Sequence, residues 1–132
     1  MAKIYKTAFY LPEKVVTNQD FVEQFNDDTL LETGRKIGIT ERHVVDVNTT
    51  SVDLAEKAAI ELLDDFDKSK IDFLLFCTQT PDYFLPTSAC VLQNRLGLPN
   101  IPALDFNLGC SGFIYGLAMA QSFIESAIAK NV

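Results

Sequence analysis

Apolar and polar positions fall into different rhythms along the chain, and each rhythm predicts an element. From Thr50 or Ser51 to about Phe66, the apolar residues Val52, Ala55, Ala58, Ala59, Leu62, Leu63 and Phe66 recur three and four apart, the spacing of one helix face. Asp53, Glu56, Lys57, Glu61 and Asp64 lie mostly on the opposite face. Residues 71–79, IDFLLFCTQ, form a continuous apolar run between polar turns, as expected for a strand covered on both faces of a parallel sheet. A second such run is IPALDFNL, residues 101–108. Between them, Pro81 and Pro86 bound a loop, Thr87 stands where a residue caps a helix through SACVLQNRLG, and Gly97 ends it.

Shorter elements precede these. Residues 3–10, KIYKTAFY, are rich in strand formers and stop at Leu11-Pro12. Thr17, Asn18 and Asp20 supply capping groups ahead of FVEQF. A second short helix is predicted over Asp28 to Lys36, ending at Gly38, with Arg42 to Val47 as strand or extended loop. The last helix is predicted to start near Cys110 and run to about Lys130; it carries no charge before Glu125, the pattern of a helix buried all round. Strands alternating with helices predict βαβ crossovers and an α/β fold with a mostly parallel sheet.

Composition narrows the function. The chain has 132 residues, 48% hydrophobic, enough for one compact domain or one half of a larger one. A net charge of −7 disfavours nucleic acid, whose binding needs a basic face, and an anionic membrane surface. MAKIYKTAFYLPEK lacks the continuous apolar core of a signal peptide. The uncharged run between Asp105 and Glu125 is too polar and glycine-punctuated for a membrane span. The three cysteines, Cys77, Cys90 and Cys110, are spaced 13 and 20 apart, which makes neither a disulfide framework nor a zinc site. They read as reduced cytoplasmic thiols. His43 is the single histidine, and no metal site is expected.

Cys110 stands out by its setting. It follows an apolar strand, sits between Gly109 and Gly112, and opens an uncharged helix. The first-turn N–H groups of a helix lack internal partners and lower the pKa of a thiol placed there. The same groups can hold the oxygen of a thioester as it becomes an oxyanion. The glycines permit either close backbone approach or an unusual φ. Such a cysteine is an acyl-accepting nucleophile or, on the structural reading, a small buried hydrophobe. Cys77, inside a strand, and Cys90, on an apolar helix face, read as packing residues.

Five segments in order carry a resemblance: YLPEKVVTN (10–18), GITERH (38–43), IDFLLFCTQT (71–80), LPTSACVLQNRLGL (85–98) and ALDFNLGCSGF (103–113). Together they resemble the N-terminal half of β-ketoacyl-acyl-carrier-protein synthase III, of the thiolase-like superfamily. The resemblance implies a five-layered α-β-α-β-α sandwich, of which residues 1–132 would be the N-terminal half, and a homodimer. It implies that Cys110 takes an acyl group from acyl-CoA or acyl-ACP, with no bound cofactor, and condenses it with malonyl on acyl carrier protein, releasing carbon dioxide. The histidine and asparagine that drive decarboxylation in the family belong to its C-terminal half, so the chain is expected to be inactive alone and to be part of a longer enzyme; His43 reads as a packing or hydrogen-bonding residue. At the family's coenzyme A site a tryptophan is replaced by Glu32, and an arginine by Lys36, with Arg35 beside it. Lys36 keeps positive charge without the guanidinium fork. In the family the loop at Tyr83, Phe84 and Leu85 crosses the dimer interface, and Leu85 would help close the partner's acyl pocket. A polyketide-type or hydroxymethylglutaryl-CoA synthase-like condensing enzyme keeps the fold and nucleophile with other chemistry. A dimerising or carrier-docking module without chemistry is the reading from another class.

Overall fold

The computed structural model describes residues 2–132. They divide into two compact units: residues 11–49, and residues 2–10 together with Thr50–Val132.

In the smaller unit, β1 (Val15–Thr17) pairs antiparallel with β2 (Glu41–His43), and α1 (Asn18–Phe25) and α2 (Thr29–Ile37) lie between them in sequence. Thr17 and Asp20 close a reciprocal capping box at the start of α1, two otherwise orphaned N–H groups being satisfied at once. Gly38 ends α2 with a φ of 73°, a left-handed conformation that glycine adopts without steric cost. Asn18, the first residue of α1, leaves the capping to Thr17 and ties the unit together. It is buried, its Nδ2 donates to the Ile39 carbonyl at 2.7 Å, and its Oδ1 accepts from Arg42 at 2.7 Å. Gly34 lies so close that a Cβ there would collide with the Asn18 amide. The Arg42 guanidinium also sits 5.2 Å from the Phe21 ring centroid, so the GITER segment is fastened to α1 by polar and cation–π contacts.

In the larger unit, β3 (Leu74–Cys77) and β4 (Ala103–Phe106) pair in parallel, Leu74 opposite Ala103 and Cys77 opposite Phe106. Helices α3 (Ser51–Leu62) and α4 (Ser88–Arg95) pack on one face of this pair, and α5 (Gly112–Glu125) on the other. Strand alternation sorts the side chains. Leu74 and Phe76 join Val52, Leu92 and Leu96 in the core against α3 and α4. Phe73 meets Phe123 of α5 with ring centroids 4.7 Å apart, and Cys77 faces Gly112. Parallel pairing with helices on both faces matches the α/β expectation. Both strands remain only partly buried, because the sheet is two strands wide.

Four details differ from expectation. Residues 3–10 form no strand; instead Tyr5 packs edge-on against Phe66, Lys6 pairs with Asp65 at 2.6 Å and Tyr10 accepts from Lys57, all along the end or side of α3. α3 ends at Leu62 rather than Phe66, and α5 at Glu125 rather than Lys130. Past α5, Ala127 takes a φ of 58° and the N–H groups of Ala127 and Ile128 return to the carbonyls of Ile124 and Phe123 respectively, the five-to-two and six-to-one closure of a Schellman stop. Thr87 does not cap α4 with its side chain; its hydroxyl goes to the Cys90 sulfur. The capping group is Asp105 of β4, whose carboxylate accepts from the Ser88 and Ala89 N–H groups at 2.7 and 2.5 Å. No helix among the described residues is long and apolar enough to cross a membrane.

Several aspartates are held below their usual range by N–H and hydroxyl donors. The Thr50 N–H and then Arg95 lower Asp53, and the Lys130 and Asn131 N–H groups lower Asp72. In the smaller unit the Thr17 N–H and hydroxyl lower Asp20. A carboxyl depressed in the folded state contributes stability above its unfolded value, here 3.8, and that contribution disappears as pH falls through the folded value. The urea midpoint is therefore expected to hold between pH 7 and 5 and to fall below about pH 4. An unchanged midpoint at pH 3 would count against these contacts.

Candidate active site

β4 ends at Phe106, and α5 begins at Gly112. The turn between them carries Cys110, which is exposed. Three glycines set its path through close approach, and among the described residues none of them has a positive φ, which only Gly38 and Gly97 adopt among glycines. A Cβ on Gly109 would lie 3.0 Å from the Gln79 Oε1, one on Gly112 2.5 Å from the Cys77 sulfur, and one on Gly116 3.2 Å from the Phe106 Cζ. The Cys77 thiol also donates to the Leu108 carbonyl at 3.4 Å. The end of β3 thus presses on the turn from below, and the Gly112 N–H closes it onto the Gly109 carbonyl at 2.9 Å.

Ser111 precedes α5 without making a side-chain cap. The Ser111 side chain therefore does not compete for the first-turn N–H groups beyond Gly112, whose own N–H is taken by the Gly109 carbonyl. Among the described residues Cys110 is exposed and not packed into the core. Cys77 keeps its packing role, half-buried against α5. Cys90 departs from expectation: it is exposed, because α4 turns its buried residues Ser88, Ala89 and Leu92 inward and Cys90 away.

The contact at Gly112 makes a testable pair. Gly112→Ala is expected to cost about 1–3 kcal/mol through overpacking. Cys77→Ala, by removing the sulfur, is expected to recover most of that loss, so urea denaturation of the two single variants and the double variant should be non-additive. Additive effects would show that the turn does not rest on Cys77.

Leu85 lies in the loop between β3 and α4. It is 83% exposed, its neighbour Phe84 98%, so the loop projects and does not fold onto its own core. Its base is fixed by Asp82, whose carboxylate accepts from the Ser51 hydroxyl at 3.1 Å and whose N–H donates to Ser88. Lys36 belongs to the smaller unit, exposed on α2 and paired with Glu32 at 2.8 Å. His43 donates from Nδ1 to the Pro12 carbonyl at 2.5 Å, the hydrogen-bonding role expected of it. Gln79 was missed in the sequence; its amide reaches Gly109, but nothing in local spacing pairs the end of one strand with the turn after another.

Comparison with known proteins places this geometry. The family model for 3-oxoacyl-[acyl-carrier-protein (ACP)] synthase III matches residues 104–132, the segment with the Cys110 turn and α5. β-Ketoacyl-[acyl-carrier-protein] synthase III of Caldanaerobacter subterraneus subsp. tengcongensis is 41% identical over 99% of this chain and 40% of its own length. A crystal structure of 3-oxoacyl-(acyl-carrier-protein) synthase III superposes with a TM-score of 0.83 and 43% identity, covering 94% of this chain and 38% of that one. The corresponding structure from Burkholderia xenovorans LB400 gives a TM-score of 0.82 and 38% identity, covering 94% of this chain and 37% of the other. The chain thus spans about 40% of the length of the curated relatives it matches. Its fold is that of a thiolase-like α/β protein. Within that class the chain is similar, over nearly its whole length, to β-ketoacyl-acyl-carrier-protein synthase III.

Proposed function

We propose that the protein carrying this chain is an acyltransferase, a β-ketoacyl-ACP synthase of class III, with residues 1–132 as the N-terminal half of its thiolase-like domain. The single observation that carries the reading is Cys110, exposed on a turn held by close-packed glycines where α5 begins. The Cys110 thiolate attacks the carbonyl of an acyl thioester, and the donor thiol leaves. The oxyanion formed on the way is met by the backbone N–H of Cys110, in the turn, together with N–H groups of the first turn of α5. Malonyl on acyl carrier protein then loses carbon dioxide, and its carbanion attacks the acyl-cysteine carbonyl and returns the thiolate. That second step draws on a histidine and an asparagine that the family resemblance puts outside residues 1–132.

The donor is acyl-CoA or acyl-ACP, and no bound cofactor takes part. Lys36 would meet donor phosphates only by leaving Glu32, which favours a carrier-delivered acyl group. Leu85, carried outward on its loop, suits a homodimer in which it reaches the partner's acyl pocket. The proposed compartment is the cytoplasm, where acyl carrier protein is the partner. A carrier-docking module without chemistry would need no exposed cysteine at this turn.

The test uses the natural polypeptide that carries these residues. After incubation with a panel of short acyl-CoA thioesters and acyl-ACP, peptide mapping by mass spectrometry is expected to find the acyl mass on the peptide containing Cys110. Absence of an adduct from every donor would overturn the reading.

A further inference from the structure

Cys77 and Gln79 stand two residues apart at the end of β3 and touch the two glycines that bracket Cys110 and Ser111. Their roles differ. The Cys77 thiol is already engaged by the Leu108 carbonyl, so it serves the turn. The Gln79 side chain is exposed, with both Oε1 and Nε2 within 3.2 Å of where a Gly109 Cβ would stand. Only glycine at 109 lets a polar amide come so near the residue before the nucleophile. An amide carries two N–H donors and an acceptor, and this one is not spent on the turn itself.

We propose that Gln79 is a further catalytic residue of the acyl-transfer step, donating from Nε2 to the oxygen of the acyl thioester on Cys110; this rests on the function proposed above. The amide comes from the segment just after β3, so its donor is additional to the N–H groups of α5. No bond to Gln79 forms or breaks: it holds the oxygen as negative charge develops, and releases it when the donor thiol departs.

The test compares the natural polypeptide with Gln79→Glu and Gln79→Leu. Both variants keep the approximate shape against Gly109 and lose the N–H donors. Two rates are read: acylation of Cys110 by an acyl-CoA, and alkylation of the same thiol by iodoacetamide, which needs no carbonyl recognition. The expected result is acylation slowed at least about tenfold in both variants, more for Gln79→Glu, with alkylation of Gln79→Leu within about twofold of wild type. Unchanged acylation overturns the proposal. Equal slowing of both rates also overturns it, since Gln79 would then act on the thiol. A wild-type Cys110 that is alkylated but never acylated sinks the underlying function, and this role with it.

Discussion

Replacing Cys110 with alanine is expected to abolish the acyl adduct while leaving the fold intact. The two outcomes are separable because the side chain is exposed. The turn is held by Gly109, Gly112 and the Cys77–Leu108 contact, none of which uses the Cys110 sulfur. Substitutions at such positions change stability by no more than about 0.5 kcal/mol, so the urea midpoint should stay near the wild-type value. Chemistry depends on the sulfur alone, since a methyl group has no electron pair to offer a thioester. Serine at 110 should also fail, because its hydroxyl ionises far less readily than a thiol. Peptide mapping supplies the control. Cys90 is exposed as well, so an adduct that persists in Cys110→Ala and maps to Cys90 would move the nucleophile to α4.

What the sequence reveals of this molecule follows the range of its interactions. The helix over α3 is legible because its apolar spacing and its Thr50–Asp53 capping box are both local. The two apolar runs are legible as strands for the same reason. Residues 3–10 mislead, since strand propensity measures how well a side chain suits a sheet, and a strand exists only where another lies beside it. Here those side chains find Phe66, Asp65 and Lys57 instead. Asn18 reads locally as a capping residue, yet its amide is committed to Ile39 and Arg42, 21 and 24 residues away. The glycines beside Cys110 leave two explanations open in sequence, unusual φ or close approach. The approach of Cys77 and Gln79 decides it, and it joins residues thirty or more positions apart.

Asp105 shows the same non-local logic with a larger energetic consequence. Local spacing assigns the cap of α4 to Thr87, but the carboxylate comes from β4, where Asp105 stands opposite Phe76. Ser88 and Ala89 are both fully buried, and their N–H groups point at Asp105. Water cannot replace the carboxylate at so closed a helix start without opening the packing. A buried donor left without a partner costs about 1–3 kcal/mol, and the anion also meets the positive end of the α4 dipole. Asp105→Ala is therefore expected to lose roughly 2–5 kcal/mol of unfolding free energy, a large share of the total for a domain of this size. Asp105→Asn keeps one acceptor oxygen and should lose about half as much. Equilibrium urea denaturation of the natural polypeptide measures both. A change within about 0.5 kcal/mol for Asp105→Ala would show that α4 does not depend on β4 for its cap. The dependence has a functional side, because Phe106 follows Asp105 directly and packs against Gly116 of α5. Loosening β4 from α4 is expected to loosen the strand that delivers the Cys110 turn, so acylation of Cys110 should fall in Asp105→Ala even at temperatures where the protein remains folded.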